Sequence, residues 1–179
     1  QSYAPFEIIF ATENGIVNAM NKALEKARGE IFVRIDDDVS LSEDWLGHLV
    51  KPFSDPEIAG VTGPTFVPAS RMNNRDSIKY ARNPGIFLTW LYDNDPYAPA
   101  KIYKCGNVSY GSNFMNKLEH KEYYAIDHLE GTNWAMRTEL IRRVGGFDPK
   151  FDGVAEWFDT DVEFKIKKLG YRLHYARYA

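Results

Sequence analysis

The chain has few of the features that mark secreted, membrane-spanning or nucleic-acid-binding proteins. Its only cysteine, Cys105, excludes an internal disulfide and is typical of a reducing compartment, so we expect a cytoplasmic location. No apolar run reaches the roughly 18 residues needed to span a bilayer, which leaves at most a peripheral place at the inner face of a membrane. With 22 basic and 25 acidic residues, the chain offers no basic surface for nucleic acid. Its 179 residues are enough for one domain with a real core.

The strongest local motif is a strand that ends in three carboxylates. Residues 31–35 (Ile-Phe-Val-Arg-Ile) have the β-branched pattern of a strand covered on both faces, and Asp36, Asp37 and Asp38 follow directly. Three adjacent acids repel one another, and a bound cation relieves that repulsion. Oxygen ligands suit Mg²⁺ or Mn²⁺, and ligands of open α/β sheets bind beyond the carboxyl ends of strands. The alternative is an acidic turn that leads into a helix.

Strands and helices alternate in the first third of the chain. Apolar residues recur at helical spacing from Ile16 to Ala27 and from Trp45 to Phe53, where residues 40–43 (Ser-Leu-Ser-Glu) match a capping box. Residues 5–10 and 58–62 have the pattern of strands. This order is typical of βαβ units and predicts an α/β fold with a mostly parallel sheet flanked by helices.

The remaining two thirds begin irregularly and then become regular again. Residues 64–127 are rich in Asn, Tyr and Pro, and we interpret them as irregular structure with short strands and helices that forms one wall of a cleft. A strand and a helix are predicted over residues 131–144. A second acidic group, Asp159 to Asp161, then introduces a helix that stops at Gly170, and a strand follows over residues 171–175.

Six short motifs in fixed order carry a resemblance to a known family. They are Ala27–Glu30, Asp36–Asp38, Gly131–Asn133 with Met136–Arg137, Val144–Asp148, Asp159–Asp161 and Lys168–Tyr171. From about Asn14 to its end the chain resembles the family 2 glycosyltransferases of the GT-A fold. The resemblance implies a GT-A-like, Rossmann-like domain over residues 1–179.

The family's D-x-D motif implies roles for the first acidic group. Asp36 and Asp38 would bind a divalent metal, Mn²⁺ or Mg²⁺, with Asp38 as the principal ligand. Asp37, near the ribose, and Asp38 would bind the nucleotide-sugar donor. The family's acid pair on the last helix falls on Asp159 and Asp161, and the resemblance implies that Asp159 is the general base.

The remaining site residues are expected in the second half of the domain. Residues 1–63 would form the donor and metal part, and residues 64–179 the acceptor and catalytic-base part. We expect the carbohydrate or lipid-linked acceptor to contact four residues: Gly131, Asn133, Trp157 and Asp161. The activity implied is a metal-dependent inverting glycosyltransferase of the hexosyltransferase type, which moves a sugar from a nucleoside-diphosphate sugar to a hydroxyl group.

The chain departs from the family pattern in three places. The usual first strand with its Asn-bearing turn for the nucleobase, and the second strand with an acidic end, have no counterpart here. Lys165 stands where members often have arginine, and the sequence stops before a downstream segment in which some relatives place a further ligand. We therefore expect an N-terminally incomplete domain. Either the chain is a fragment of a longer enzyme, or its sheet edge is covered by a second copy or by another segment.

Chemistry alone supports the same roles and leaves alternatives open. Transfer with inversion needs a cation on the leaving diphosphate and a carboxylate that takes the acceptor's proton, and the two acidic groups supply these if they face one cleft. Asp159 could instead cap its helix. A nucleotidyltransferase would use similar chemistry, although no Gly-rich, basic phosphate loop is visible. The third hypothesis is a non-catalytic carbohydrate-binding or scaffold module of GT-A-like fold.

Overall fold

The structure is a computed structural model of the chain. It describes residues 6–65, 85–94, 100–106, 108, 123–153 and 157–179. Most of the irregular cleft wall expected over residues 64–127 therefore lies outside the described residues, as do Pro5 of the first expected strand and Glu156 next to the second acidic group.

Five α-helices occur in the described part of the chain. They are α1 Ile16–Lys26, α2 Trp45–Val50, α3 Gly85–Leu91, α4 Thr138–Arg143 and α5 Phe158–Lys168, with short 3₁₀ helices at Lys51–Ser54 and Pro149–Phe151. The helices expected from apolar spacing are confirmed at α1, α2, α4 and α5. None of the described helices is long and apolar enough to cross a membrane.

Within the described residues the sheet has five strands, in the order β1-β4-β2-β5-β3. The strands are β1 Ile31–Ile35, β2 Ile58–Thr62, β3 Tyr123–Ile126, β4 Asn133–Arg137 and β5 Arg172–Ala176. The helix-flanked α/β sheet is confirmed, but its pairing is mixed: β2 and β5 pair in parallel, and the other three pairs are antiparallel. Strands β1, β2 and β5 still point the same way, because β4 lies between β1 and β2 in the opposite direction.

Two local expectations near the N-terminus were wrong. Residues 6–10 form no strand, and three of their apolar side chains, Phe6, Ile8 and Phe10, are exposed. Among the described residues, the two edge strands of the sheet are β1, which pairs with β4 alone, and β3, which pairs with β5 alone. The segment is held instead by a side chain, because the Glu7 carboxylate accepts hydrogen bonds from the Arg28 and Gly29 amides at 2.7 and 3.1 Å.

The capping box at residues 40–43 is also not formed. Helix α2 begins at Trp45 after Asp44, whose side chain makes no cap hydrogen bond. The Trp45 amide donates to the Ser42 carbonyl, and its indole Nε1 donates to the Asn133 side-chain oxygen at 3.0 Å. Because these contacts fix Trp45 against β4, the tertiary anchor sets the helix start and overrides the local capping signal.

A chain of buried aromatic rings places the start of α5 against the sheet. Phe32 on β1 contacts Trp134 on β4, Trp134 contacts Phe147, and Phe147 contacts Phe158 edge to face, with centroid separations of 6.1, 6.2 and 5.6 Å. Trp134, Phe147 and Phe158 are at most 2% exposed. Aromatic packing of this kind is strong and directional. It fixes the first turn of α5, where Asp159 lies, over the end of β1.

Candidate active site

The first acidic group lies at the C-terminal end of β1, as expected. The Asp36 amide donates to the Thr132 carbonyl at 3.2 Å, which continues the pairing of β1 with the segment before β4. Asp36 is half-buried, whereas Asp37 and Asp38 are exposed. The backbone of Asp36 is therefore fixed to the sheet, while the side chains of Asp37 and Asp38 are open to solvent.

Asp159, from the second acidic group, is almost fully buried at the start of α5. Its side chain is 10% exposed, and one of its carboxylate oxygens, Oδ1, accepts a hydrogen bond from the Thr160 amide at 2.9 Å. The N-cap position is occupied by Trp157, so Asp159 is a first-turn residue and not the cap of this helix. A negative charge in the first turn is stabilised by the helix dipole.

The side chain of Arg34 joins the two acidic groups. From β1, its Nη2 lies 2.8 Å from Asp36 Oδ1 and its Nη1 lies 3.8 Å from Asp159 Oδ2. The same Nη1 donates to the Gly131 carbonyl, and the guanidinium stacks 5.5 Å above the ring of Phe158. Groups separated by more than 120 residues in the sequence are thus brought to one place through a single arginine.

These groups line an open cleft of about 410 Å³. Its lining includes Asp36, Gly131, Trp157 and Asp159 from the set predicted from sequence. It also includes residues that the prediction missed: Arg34, Val108, His128, Leu129, Glu130, Phe158 and Thr160. The signal that could have revealed Arg34 was a charged residue in the middle of an otherwise apolar strand.

The side chains of two predicted acceptor-binding residues, Asn133 and Asp161, contact other residues of the fold and do not face the cleft. The Asn133 side chain is buried, and its oxygen accepts the Trp45 indole hydrogen bond. A carboxylate oxygen of Asp161 lies 2.6 Å from Nζ of Lys165, one turn later on α5. Neither lines the cleft, and neither do Asp37 and Asp38.

Trp157 differs from these residues because its side chain is half exposed at the cleft. Its backbone has φ 64°, in the left-handed region that residues other than glycine rarely adopt. Strain of this kind costs about 1–3 kcal/mol and is concentrated at functional sites. Gly131 faces the same space: a Cβ there would lie 3.5 Å from Asp159 Oδ2 and 3.7 Å from Arg34 Nη1.

A second carboxyl group, Glu163, lies behind Asp159 on the same face of α5. Glu163 is 1% exposed, and its Oε2 accepts a hydrogen bond from the Leu129 amide at 3.0 Å. Its Oε1 is buried and has no partner among the described atoms. Burial, and secondarily the negative charge of Asp159, raise the pKa of the Glu163 carboxyl well above its usual range. The site therefore favours the protonated form of Glu163 beside Asp159.

The donor set after β1 fits a hard divalent cation, although no cage is preformed. Asp36, Asp37 and Asp38 offer only oxygen, which is the ligand type that Mg²⁺ and Mn²⁺ prefer. In the described part of the chain, no three His, Cys, Asp or Glu side chains converge to hold a metal ion. A cation bound through one or two carboxylates takes its other ligands from phosphate oxygens and water, so these residues suit a metal that arrives with a diphosphate.

Residues 1–145 match the family model described as glycosyl transferase family 2. This match covers most of the chain. The chain belongs to glycosyl transferase family 2. The matched region includes Arg34, the acids after β1 and Gly131, whereas Trp157, Asp159 and Asp161 lie beyond it.

Solved structures show the same fold for this glycosyl transferase family 2 chain. One is the mannosyltransferase PcManGT from Pyrobaculum calidifontis in complex with GDP-Man and Mn²⁺, with 23% identity and a TM-score of 0.52. Another is GalNAc-T7 with UDP, GalNAc and Mn²⁺, with 15% identity and a TM-score of 0.54. Each likeness covers 90% of this chain and, respectively, 34% and 29% of the other protein. The expectation of a GT-A fold is thus confirmed.

A curated protein named DNA ligase, from Sulfurovum sp. (strain NBC37-1), is 25% identical over 157 residues. The alignment covers 88% of this chain but only 22% of that protein. The chain therefore spans about a fifth of the length of this relative, and the name of the whole relative transfers no activity to it.

Proposed function

We propose that this domain is a metal-dependent inverting glycosyltransferase that moves a sugar from a nucleoside-diphosphate sugar to a hydroxyl acceptor. The observation that carries the proposal is the meeting of two acidic groups, Asp36 after β1 and Asp159 on α5, at one cleft. Inversion needs the general base and the leaving diphosphate on opposite sides of the anomeric carbon. Two carboxylate groups that face one cleft from different elements suit this division of roles.

Asp159 is the proposed base. The acceptor oxygen attacks the anomeric carbon, the bond from that carbon to the diphosphate oxygen breaks, and Asp159 takes the acceptor's proton. The buried position of Asp159 holds its carboxylate in one orientation, and Arg34 supplies a nearby positive charge. The half-exposed indole of Trp157 offers a flat face on which an acceptor sugar can stack.

The donor is proposed to lie over the acids after β1. Asp36 and Asp38 would hold a divalent metal, Mn²⁺ or Mg²⁺, and Asp37 would contact the ribose of the nucleotide. The metal supplies charge neutralisation for the departing diphosphate. Both solved relatives contain Mn²⁺ with a sugar nucleotide or a nucleotide, which supports this part of the proposal.

The test is the thermal stabilisation of the chain by Mn²⁺ together with GDP or UDP. We expect a shift for the unmodified chain and its loss in Asp38→Asn, with the fold intact because Asp38 is exposed. Asp44→Asn is the matched control, since it removes another exposed acid six residues further along the same segment. A full metal-dependent shift in Asp38→Asn would place the metal elsewhere. Donor hydrolysis in the same samples separates an enzyme from a non-catalytic carbohydrate-binding module.

A further inference from the structure

Arg34 pairs with carboxylates from both halves of the candidate site. Its side chain is 15% exposed, those of Asp36 and Asp159 are 30% and 10% exposed, and the planar guanidinium uses different nitrogens for each. A guanidinium can bridge two carboxylates in this way because its donors form a rigid fork. One cation thus serves two acids that the proposed function assigns to different steps.

The same position creates a conflict with a bound metal. A divalent cation at Asp36 would lie close to the guanidinium that is 2.8 Å from the same carboxylate. Like charges at such separations repel strongly when both are partly shielded from water. The metal and Arg34 therefore compete for the carboxylate of Asp36. Arg34 has a second partner available, because its Nη1 lies 3.8 Å from Asp159 Oδ2.

We propose that Arg34 is a positioning residue that competes with the divalent cation for Asp36 and shifts its pairing to Asp159 when the cation binds. This inference rests on the proposed function, because it needs the metal to bind at Asp36. Metal binding then holds Asp159 through Arg34, so the donor side and the base side of the cleft are energetically coupled. Such coupling is reciprocal, and it is measurable as a change in metal affinity when either partner of Arg34 is altered.

The first test measures the affinity for Mn²⁺ by the electron paramagnetic resonance signal of the free ion, alone and with saturating GDP or UDP. In Arg34→Met we expect Mn²⁺ to bind roughly fivefold more tightly or better, because the competing cation is gone. The control is Arg137→Met. Arg137 is another half-buried arginine of the sheet, and its side chain donates hydrogen bonds to the backbone carbonyls of Phe53, Asp55 and Ile58.

The direction of the change separates this role from a merely structural one. If Arg34 only braced the loop through the Gly131 carbonyl, its loss would loosen the site, and Mn²⁺ affinity would fall or stay constant. Arg137→Met should leave Mn²⁺ affinity unchanged. Melting of each variant in metal-free buffer shows whether it is folded.

The second test is a double-mutant cycle with Asp159→Asn. With Arg34 present, this change should weaken Mn²⁺ binding by a few-fold, because Arg34 then holds Asp36 alone. In the Arg34→Met background the effect should be clearly smaller. Should Arg34→Met not fold, Arg34→Lys replaces it, since a lysine keeps the charge but cannot bridge both acids and should also reduce the coupling.

The outcomes separate the two proposals. Absence of Mn²⁺ binding by the unmodified chain, with or without nucleotide, would overturn the metal-dependent function itself. Mn²⁺ binding that is as tight in Arg34→Met as in the unmodified chain, or a cycle without coupling, would overturn the role of Arg34 and leave the proposed function standing.

Discussion

Replacing Glu163 by glutamine should make the stability of the fold less dependent on pH. Glutamine has nearly the shape of a protonated glutamic acid, and its side-chain oxygen can still accept the hydrogen bond from the Leu129 amide. The substitution therefore keeps the contact that the structure shows and removes only the ability to ionise. Burial disfavours the ionised form of Glu163 most strongly, the negative charges of Asp159 and Glu130 add to this effect, and the Leu129 amide and Lys167 oppose it.

The magnitude follows from proton linkage. Because the pKa of Glu163 is raised in the folded state, the folded chain keeps a proton that the unfolded chain loses above its ordinary value of 4.5. Below pH 4.5 Glu163 is protonated in both states and does not change the free energy of unfolding. Above pH 4.5 the free energy of unfolding falls as pH rises, until the pH passes the pKa of Glu163 in the folded chain. The fall is about 1.4 kcal/mol per pH unit. Glu163→Gln removes this pH-dependent loss of stability, so the variant should become more stable relative to the unmodified chain as pH rises from 5.

Urea denaturation followed by tryptophan fluorescence at several pH values between 5 and 8 measures this difference. Glu139→Gln is the control: it makes the same chemical change at an exposed position of α4 and shows how much the stability changes when a surface glutamate is replaced. Glu163→Leu should differ again, because it leaves the Leu129 amide unpaired at a cost of about 1–3 kcal/mol at every pH. Equal stability differences between Glu163→Gln and the unmodified chain at pH 5 and pH 8 would refute a protonated Glu163.

Two further predictions concern the cleft. Asp159→Asn should lower the rate of sugar transfer by roughly 10²- to 10⁴-fold, as expected for a lost general base, while the affinity for Mn²⁺ changes by a few-fold at most. Asp161→Asn is the control. Equal losses of sugar transfer in the two variants would contradict the assignment of Asp159 as the base. Trp157→Ala and Trp157→Gly should both raise the KM for the acceptor and spare donor hydrolysis. Trp157→Gly should be the more stable of the two by about 1 kcal/mol, because glycine alone adopts positive φ without strain. Urea denaturation of the two variants checks this, and equal stability would argue against strain at Trp157.

The sequence predicted the helices and most strands because each has a local pattern, but it could not predict how the strands pair. Strand β4 has the composition of a buried strand, and nothing in its periodicity reveals that it runs against both neighbours. Its direction depends on the route of the chain between β2 and β4, which residue periodicity does not reveal. Residues 6–10 illustrate the converse error, since their apolar alternation is strand-like but they form no strand in the described structure.

The choice between the two acids of α5 shows what the structure adds to the site. Residues two apart on a helix point about 200° away from each other, so Asp159 and Asp161 cannot both face one cleft. Sequence spacing does not say which of them does. In the structure Asp161 turns to Lys165, whereas Asp159 shares its face with the buried Glu163 and lies opposite Arg34. The aromatic contact between Phe147 and Phe158 fixes this rotation of the helix, so packing in the core determines which of the two acids faces the cleft.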